Sequence, residues 1–157
     1  MREINFRGKS GDKWIYGYYL FVEQQDKHYI LTGKLASYSV DCSHSNLKTN
    51  GFEWFEVDPE TVGQYTGLKD INGERIFEND IVKASYSIDN YSSLFKTMSV
   101  ENFVNVNCLV IFDFAEFKLK NPNSLYCKSI LGSYNEEVIG NIHDNKDLIG
   151  EWYANRC

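Results

Sequence analysis

The residues of this sequence that most resemble catalytic groups are His143 and Asp144, which lie side by side just after Asn141. A histidine and a carboxylate can act as general base and orienting group, but the reaction also needs a nucleophile or a metal, and the sequence assigns neither. Asn and Asp also begin helices, because their side chains accept hydrogen bonds from free backbone N–H groups. We therefore predict a polar turn that caps a C-terminal helix, and no catalytic residue. A nucleotide hydrolase using His143 and Asp144 is the alternative.

Two further carboxylates, Asp70 and Asp80, stand on either side of a predicted hairpin. Their spacing is compatible with a pair of catalytic acids. Asp is also a frequent turn residue, because its side chain bonds the backbone two residues further on. We predict that both are turn residues.

Four cysteines could in principle contribute to a metal site, but they are scattered along the chain without a C-x-x-C pair: Cys42, Cys108, Cys127 and Cys157. The one close pair of ligand types is Cys42 and His44, which is too little for a zinc site without convergence in space. Scattered cysteines in a chain that shows no export signal favour free thiols. We predict no metal and no cofactor.

Aromatic residues make up 15% of the chain, with ten Phe, eleven Tyr and three Trp. Exposed rings can stack on a base or hold a partner protein, whereas buried rings fill the core. Aromatic and hydrogen-bonding groups lie closest together around Tyr65, where a ligand site is predicted: Tyr65 would stack, Gln64 and Thr66 would read the ligand's edge, and Lys69 would meet its negative charge. The complete predicted set is Gln64, Tyr65, Thr66, Lys69, Trp14 and Tyr18.

The element that must position these residues is the stretch 57–83, VDPETVGQYTGLKDINGERIFENDIVK. Asp58 followed by Pro59 predicts one helical turn, because the Asp side chain can accept backbone N–H groups and proline suits the first helical position. Gly63 would end that turn. The dipeptide Asn72-Gly73 predicts a hairpin, since these residues hold positive φ most readily.

The rest of the chain predicts short strands joined by turns, at 14–22, 28–32, 52–57, 75–77, 81–86, 106–114, 125–131 and 137–142. The segments 33–51 and 87–107 are rich in polar residues and are predicted as long loops, the second with a short helix. Apolar spacing over 145–155 predicts a short C-terminal helix. The predicted fold is mainly β: a small, strongly bent barrel or sandwich of SH3-like character with an N-terminal hairpin.

The stretch 57–83 resembles the signature of the YopX family, small proteins carried by bacteriophages and prophages. Two flanking pieces agree with it, Arg7-Gly8 with WIYGYY at 14–19, and EVIGNI at 137–142 with Asp144-Asn145. Where family members tend to have Gly-Asp, this chain has Asn79-Asp80, and Asn tolerates the same left-handed backbone. The resemblance implies one YopX-like domain over residues 1–157, with a signature core at 57–83 and a variable insertion at about 85–134.

The resemblance implies a phage accessory protein and transfers no catalytic residues. A net charge of −6 argues against general binding to DNA or RNA, which depends on neutralising phosphates. We therefore expect a cytoplasmic protein of the bacterial host cell that acts by binding, as a counter-defence or host-takeover factor. Its target is left open between a host protein, met through exposed aromatic residues, and a small nucleotide held at a subunit boundary.

Two further expectations concern the setting of the protein. No apolar run approaches the length of a membrane span, so no membrane partner is expected. The apolar stripe at the C-terminus could dock across a subunit boundary or close the core of its own subunit. We expect a homo-oligomer. The stripe consists of Leu148, Ile149, Trp152 and Tyr153.

Overall fold

The computed structural model describes residues 3–33, 53–92, 97–122, 124, 127–130 and 135–152. Its regular structure is antiparallel β, which confirms the predicted mainly β fold. The strands are β1 Phe6–Ser10, β2 Lys13–Val22, β3 Lys27–Thr32, β4 Glu53–Glu56, β5 Asp58–Lys69, β6 Arg75–Phe77, β7 Asp80–Ser92, β8 Thr97–Asp113, β9 Glu116–Lys120, β10 Cys127–Ser129 and β11 Glu137–Asn141. Two 3-10 segments, Glu23–Gln25 and Lys146–Trp152, supply the helical structure of the described residues.

The chain divides into two compact units, residues 1–64 and 65–157. The signature stretch 57–83 extends across this division, and β5 contributes its first residues to one unit and its last residues to the other. Its pairing follows the same division. The part before residue 65 pairs with β1, and the part from Tyr65 onwards pairs with β6.

In the first unit the hydrogen-bonded order of strands is β4-β3-β2-β1-β5. β2 pairs with β1 through its first half and with β3 through its second half. The change of partner falls at Gly17, where a Cβ atom would overlap the backbone oxygen of Leu31. Glycine is needed here because it lets the backbone of β3 approach β2 closely.

In the second unit, the end of β5 and β6 form the predicted hairpin. The N–H of Gly73 donates to the carbonyl of Asp70 at 3.0 Å, and Gly73 has a φ of 85°. The following polar turn is also as predicted, since Asn79 takes a left-handed φ of 69°. Asn79 therefore supplies the left-handed residue that this turn requires.

The second unit also contains a five-stranded antiparallel sheet in the order β10-β9-β8-β7-β11. β8 is central, which confirms the strand predicted at 106–114. The loop and short helix predicted over 87–107 are wrong, because β7 and β8 pair as one long ribbon as far as Ser92 and Thr97. The prediction failed because it relied on the many Ser and Asn side chains, which are typical of loops. In an antiparallel ribbon, the backbone N–H and C=O groups of the two strands hydrogen-bond to each other whatever the side chains are.

The core of the second unit lies against this sheet and is built from Ile76, Val82, Ala84, Tyr86, Cys108, Val110, Phe117, Leu119 and Ile130. The predicted C-terminal helix is instead a 3-10 segment, interrupted at Gly150 by a φ of 64°. Ile149 packs with Ile81, Leu109 and Ile142, so this part of the apolar stripe closes the core of its own unit. Tyr153 and the side chain of Trp152 lie outside the described residues.

Two other predictions need correction. The helical turn at Asp58 is wrong, since this segment is extended in β5; the predicted bond is still made, with the Glu60 N–H donating to Asp58 Oδ1 at 3.0 Å. An Asx-type bond therefore begins a strand here in place of a helix. Among the described residues neither sheet closes into a barrel, because each strand order has two ends. The loop predicted at 33–51 lies almost entirely outside the described residues.

Candidate binding surface

Tyr65 and Thr66, at the centre of the predicted ligand site, lie in the interior and are each 5% exposed. The Tyr65 ring lies 5.5 Å from the ring of Phe77, and the guanidinium of Arg75 lies 5.4 Å from its centroid. The Thr66 hydroxyl donates to the carbonyl of Ile76 at 2.8 Å. Stacking a base on Tyr65 would require this packing to open. The surface that offers rings without such a change lies elsewhere.

The remaining predicted site residues are distributed along different strands. Gln64 is half-buried opposite Phe6, and Lys69 is exposed on β5. Trp14 and Tyr18 lie on the same face of β2, where side chains alternate between the two faces of the sheet. The structure therefore brings together one pair of the predicted residues, Trp14 and Tyr18.

The cluster around His143 forms the predicted polar turn. The side-chain oxygen of Asn141 accepts the N–H groups of His143 and Asp144 at 2.9 and 3.0 Å. The Asn141 amide donates to Asp144 Oδ2 at 3.0 Å. These bonds connect β11 to the C-terminal 3-10 segment, so the residues hold a turn as expected. The hydrolase alternative stays an untested prediction.

Asp70 and Asp80 also act in turns, as predicted. Asp70 accepts N–H groups of Asn72 and Glu74, each at 2.8 Å, and of Val138 at 3.0 Å. Burial alone would raise the pKa of Asp70, but these N–H donors favour the charged form and leave the pKa below its ordinary value. Asp80 accepts the N–H of Phe77 at 2.7 Å in the next turn.

The first unit carries exposed aromatic side chains on one face of its sheet. Tyr16 and Tyr18 on β2 are 48% and 50% exposed, and Trp54 on β4 is 47% exposed. Trp14 and Leu20 occupy the same face of β2, because they alternate with the residues between them. We call this surface the aromatic face, and it consists of Trp14, Tyr16, Tyr18, Leu20, Tyr29, Leu31 and Trp54.

Strand register makes the aromatic face continuous across β2, β3 and β4. Tyr18 pairs with Leu31, and Leu31 pairs with Trp54, which places the three side chains in one row. Directly opposed residues of this kind have Cβ atoms about 4.5–5.5 Å apart. The rings of Tyr29 and Trp54 also meet edge to face, with centroids 6.3 Å apart. The surface is therefore an ordered row of apolar groups, of which Tyr16, Tyr18 and Trp54 are about half exposed and the others are partly buried.

Charged groups border the aromatic face at two ends. Next to β1, the ammonium of Lys9 and the guanidinium of the buried Arg7 lie 5.7 and 4.6 Å from the ring centroid of Trp14. At the β4 end, Lys27 and Glu56 form an ion pair of 2.6 Å. The face therefore combines an apolar centre with polar margins, as protein interfaces do.

The opposite face of the same sheet is partly packed. Ile30 is fully buried there. The hydroxyl of Tyr19 lies 2.6 Å from Nδ1 of His28, and the ring of Phe21 lies 4.7 Å from the His28 ring. Alternate residues of β2 therefore contribute to packing on this face, although Phe21 itself is 42% exposed.

Sequence reasoning placed Trp14 and Tyr18 in the site but left out Tyr16, Tyr29, Leu31 and Trp54. The signal that could have found them is alternation within the first hairpin. Even-numbered aromatic residues of β2 share one face, and a two-strand register would have added Leu31 to the row. The contribution of Trp54 depends on β4, whose pairing is not readable from the sequence.

Two other kinds of site are absent from the described ranges. No three His, Cys, Asp or Glu side chains gather there as metal ligands, and Cys42 and His44 fall outside these ranges. Within the same part of the chain, no helix has the length and apolar character needed to cross a bilayer.

Comparison with known families identifies the chain. Its sequence matches the model of the YopX protein family over residues 5–150. The chain belongs to the YopX family. The match confirms the resemblance of its signature stretch, and it extends over both units of the structure. A comparison with curated protein sequences finds no match.

The YopX signature of this chain forms a structural frame. Asp70 binds the N–H of Val138, which belongs to the second piece of the family pattern near the C-terminus. Asn79 receives the N–H of Ile142 at 3.0 Å and donates its own N–H to the carbonyl of Val110 at 2.9 Å. The signature residues thus tie β6, β8 and β11 together through their turns.

Proposed function

We propose that this YopX protein is a non-catalytic binding protein whose aromatic face docks a partner protein. The observation that carries the proposal is the in-register row of Tyr18, Leu31 and Trp54, in which both rings are about half exposed. Burying such rings against a partner would stabilise the complex by roughly 25 cal/mol per Å² of apolar surface removed from water. Tyr and Trp are also the residues that most often dominate binding energy at the centre of protein interfaces.

The charge of the chain favours a protein partner over a nucleic acid. Aromatic rows can also stack unpaired bases, but such sites combine the rings with a positively charged groove. Here the net charge is −6, and the aromatic face is bordered by an ion pair between Lys27 and Glu56. Beside Trp14, Lys9 is the accessible cation, because Arg7 is buried, and one cation is far from a positively charged groove. A polyanion would therefore gain little from the surroundings of the rings, whereas a protein with an apolar patch would gain from them.

YopX proteins are carried by bacteriophages and prophages, and this setting indicates what kind of partner the protein would bind. A small phage protein that acts without turnover would block or sequester a component of its bacterial host, as a counter-defence or host-takeover factor. It would do so in the host cytoplasm. Occupying a host protein's surface requires one ordered docking face, and the aromatic face is the surface of the first unit that fits this requirement.

A small nucleotide is the second candidate ligand. The observation in its favour is the end of the aromatic face at Trp14, where the partly exposed Lys9 supplies a cation beside an aromatic ring; Arg7 also lies beside this ring but is only 6% exposed. A base stacked on Tyr16 could place its phosphate near Lys9. The predicted pocket around Tyr65 is less suited, because that ring is buried.

Titration and capture experiments distinguish these functions. Immobilised protein is offered bacterial lysate and, separately, a panel of cyclic and linear nucleotides is titrated by calorimetry. We expect a protein retained by wild type and lost with Tyr18→Ser/Trp54→Ser, and no heat with any nucleotide. Saturation at the site count with release of intact nucleotide would support the second candidate. Conversion of many equivalents of nucleotide would support a hydrolase and contradict the proposal.

A matched control is needed because serine substitutions also reduce non-specific hydrophobic binding. Ile71 is 59% exposed at the tip of a hairpin in the second unit. Ile71→Ser removes exposed apolar surface without touching the aromatic face. It should retain the partner as wild type does.

A further inference from the structure

The hairpin between β8 and β9 has an unusual turn. Asp113 pairs with Glu116, so its loop consists of Phe114 and Ala115 alone. Both loop residues have positive φ, 47° for Phe114 and 63° for Ala115. A two-residue loop with positive φ at both positions normally carries Asn-Gly, because other side chains are strained in the left-handed region.

Other turns of the same unit follow the normal chemistry. The left-handed positions of the two turns flanking β6 are occupied by Gly73 and Asn79. The strain at Phe114 and Ala115 therefore has no counterpart in those turns. Backbone strain of this kind is concentrated at functional sites, where the residue is needed for something other than folding.

The side chain at this strained position is almost fully in water. Phe114 is 89% exposed, more than any other large apolar residue of the described chain. Its ring is therefore not part of the core of its own unit. A large ring at the tip of a hairpin, held there against backbone preference, is suited to enter a pocket of another molecule.

One neighbour of Phe114, the Lys118 ammonium, favours a particular position of the exposed ring. The ammonium of Lys118 lies 4.8 Å from the centroid of the ring, and it also lies 3.0 Å from Asp113 and 3.6 Å from Glu116. The Lys118 side chain is only 14% exposed. A ring ordered before binding loses less conformational entropy on binding than a loose one.

We propose that the tip of the β8–β9 hairpin is a second docking element, whose Phe114 ring enters an apolar pocket of a protein partner. The charges beside the ring select this class of partner. Asp113 and Glu116 flank the loop with two carboxylates against the single ammonium of Lys118. An anionic membrane would repel such a tip, whereas a protein pocket with a basic margin would complement it.

Two variants separate the ring from the strain. Ala115→Gly relieves strain and keeps Phe114, while Phe114→Asn with Ala115→Gly gives the preferred Asn-Gly turn and removes the ring. Both should raise the melting temperature, the double variant by about 2–8 °C. Both should therefore be folded, so a loss of binding in one of them reports the ring itself. A double variant that melts below wild type would overturn the strain argument.

The binding test uses a photoreactive benzoylphenylalanine at position 114 of the full chain, irradiated in bacterial lysate. The control places the same group at Val104, which is 69% exposed in the same unit. We expect a discrete product from position 114 and not from position 104. Excess unlabelled wild type or Ala115→Gly should suppress it, and excess Phe114→Asn/Ala115→Gly should not.

Three outcomes contradict the proposal. Equal suppression by all competitors would show that the ring does not contribute to docking. A product with the mass of two copies of this 18.2 kDa chain would make the tip a self-association element. Co-sedimentation with zwitterionic or anionic vesicles that is lost in the double variant would make the tip a membrane anchor.

Discussion

The aromatic residues at the centre of the YopX signature and those of the aromatic face have similar chemistry and different environments. Tyr65 packs against Phe77 and is 5% exposed, while Tyr18 and Trp54 remain about half exposed in a continuous row. Residue type alone did not distinguish them. What distinguishes them is how far neighbouring side chains cover each ring, as Phe77 and Arg75 do for Tyr65.

The comparison assigns different tasks to the two regions. The signature region stabilises the fold, so changes there should alter melting and leave a correctly folded fraction competent to bind. The aromatic face should show the reverse, with binding lost at unchanged stability. Measuring both stability and partner binding on the same variants therefore tests whether the two regions have these different roles.

The largest stability effect is expected from Tyr65→Ala. Removing this buried ring leaves a cavity beside Phe77 and should cost about 3–5 kcal/mol, as other large aromatic truncations do. Chemical denaturation measures the loss, with Tyr65→Phe as the control that keeps the ring and should cost much less. A Tyr65→Ala protein with wild-type stability would make Tyr65 a ligand-binding candidate again.

The next effect is expected from Asp70→Asn, which should cost about 1–3 kcal/mol at neutral pH. The amide replaces one carboxylate oxygen with a donor, so the N–H of Val138 or those of Asn72 and Glu74 would face another donor. Ser is not a suitable control here because it is too short; wild type at low pH serves instead.

The pH dependence of wild type sharpens this prediction. Since folding lowers the pKa of Asp70, its contribution is complete above the unfolded pKa of about 4 and is lost as the pH falls through the lower folded pKa. The stability gap between wild type and Asp70→Asn should therefore narrow in acid. A gap that stays constant from pH 7 to about pH 2 would contradict the assigned role of the carboxylate.

A smaller effect is expected from Gly73→Val. The φ of 85° at this position strains a β-branched residue, at a cost of about 1–2 kcal/mol. Open space around Gly73 leaves backbone strain as the cause, since a Cβ atom at this position would have no neighbour within 4 Å. Thermal melting should fall clearly, whereas the exposed neighbour Ile71→Val should change little. Equal melting curves for Gly73→Val and wild type would refute the turn.

The fold was predictable where local chemistry determines it. Gly73 and Asn79 identify their turns because few residues accept a left-handed backbone. The ribbon of β7 and β8 was missed because its polar side chains have no clear period, and its stability comes from pairing between strands. The C-terminal helix was predicted wrongly, because apolar spacing does not show that Gly150 interrupts the segment, which is a 3-10 segment.

The site was predictable only in part. Aromatic richness indicated that rings could form a binding surface, and two of the predicted residues, Trp14 and Tyr18, share one face of β2. Tyr65 was given the leading role because polar and aromatic residues adjoin it in sequence. In a strand, adjacent residues point to opposite faces, so closeness in sequence does not make a shared surface.

The central claim is that the aromatic face binds a partner protein, and the most direct test is the affinity of the captured partner for Tyr18→Ser/Trp54→Ser. We predict a Kd weakened by about ten- to a hundredfold or more, because two central rings are lost. The melting temperature should stay near that of wild type, and Ile71→Ser should bind normally. An unchanged Kd for the folded double variant would contradict the account.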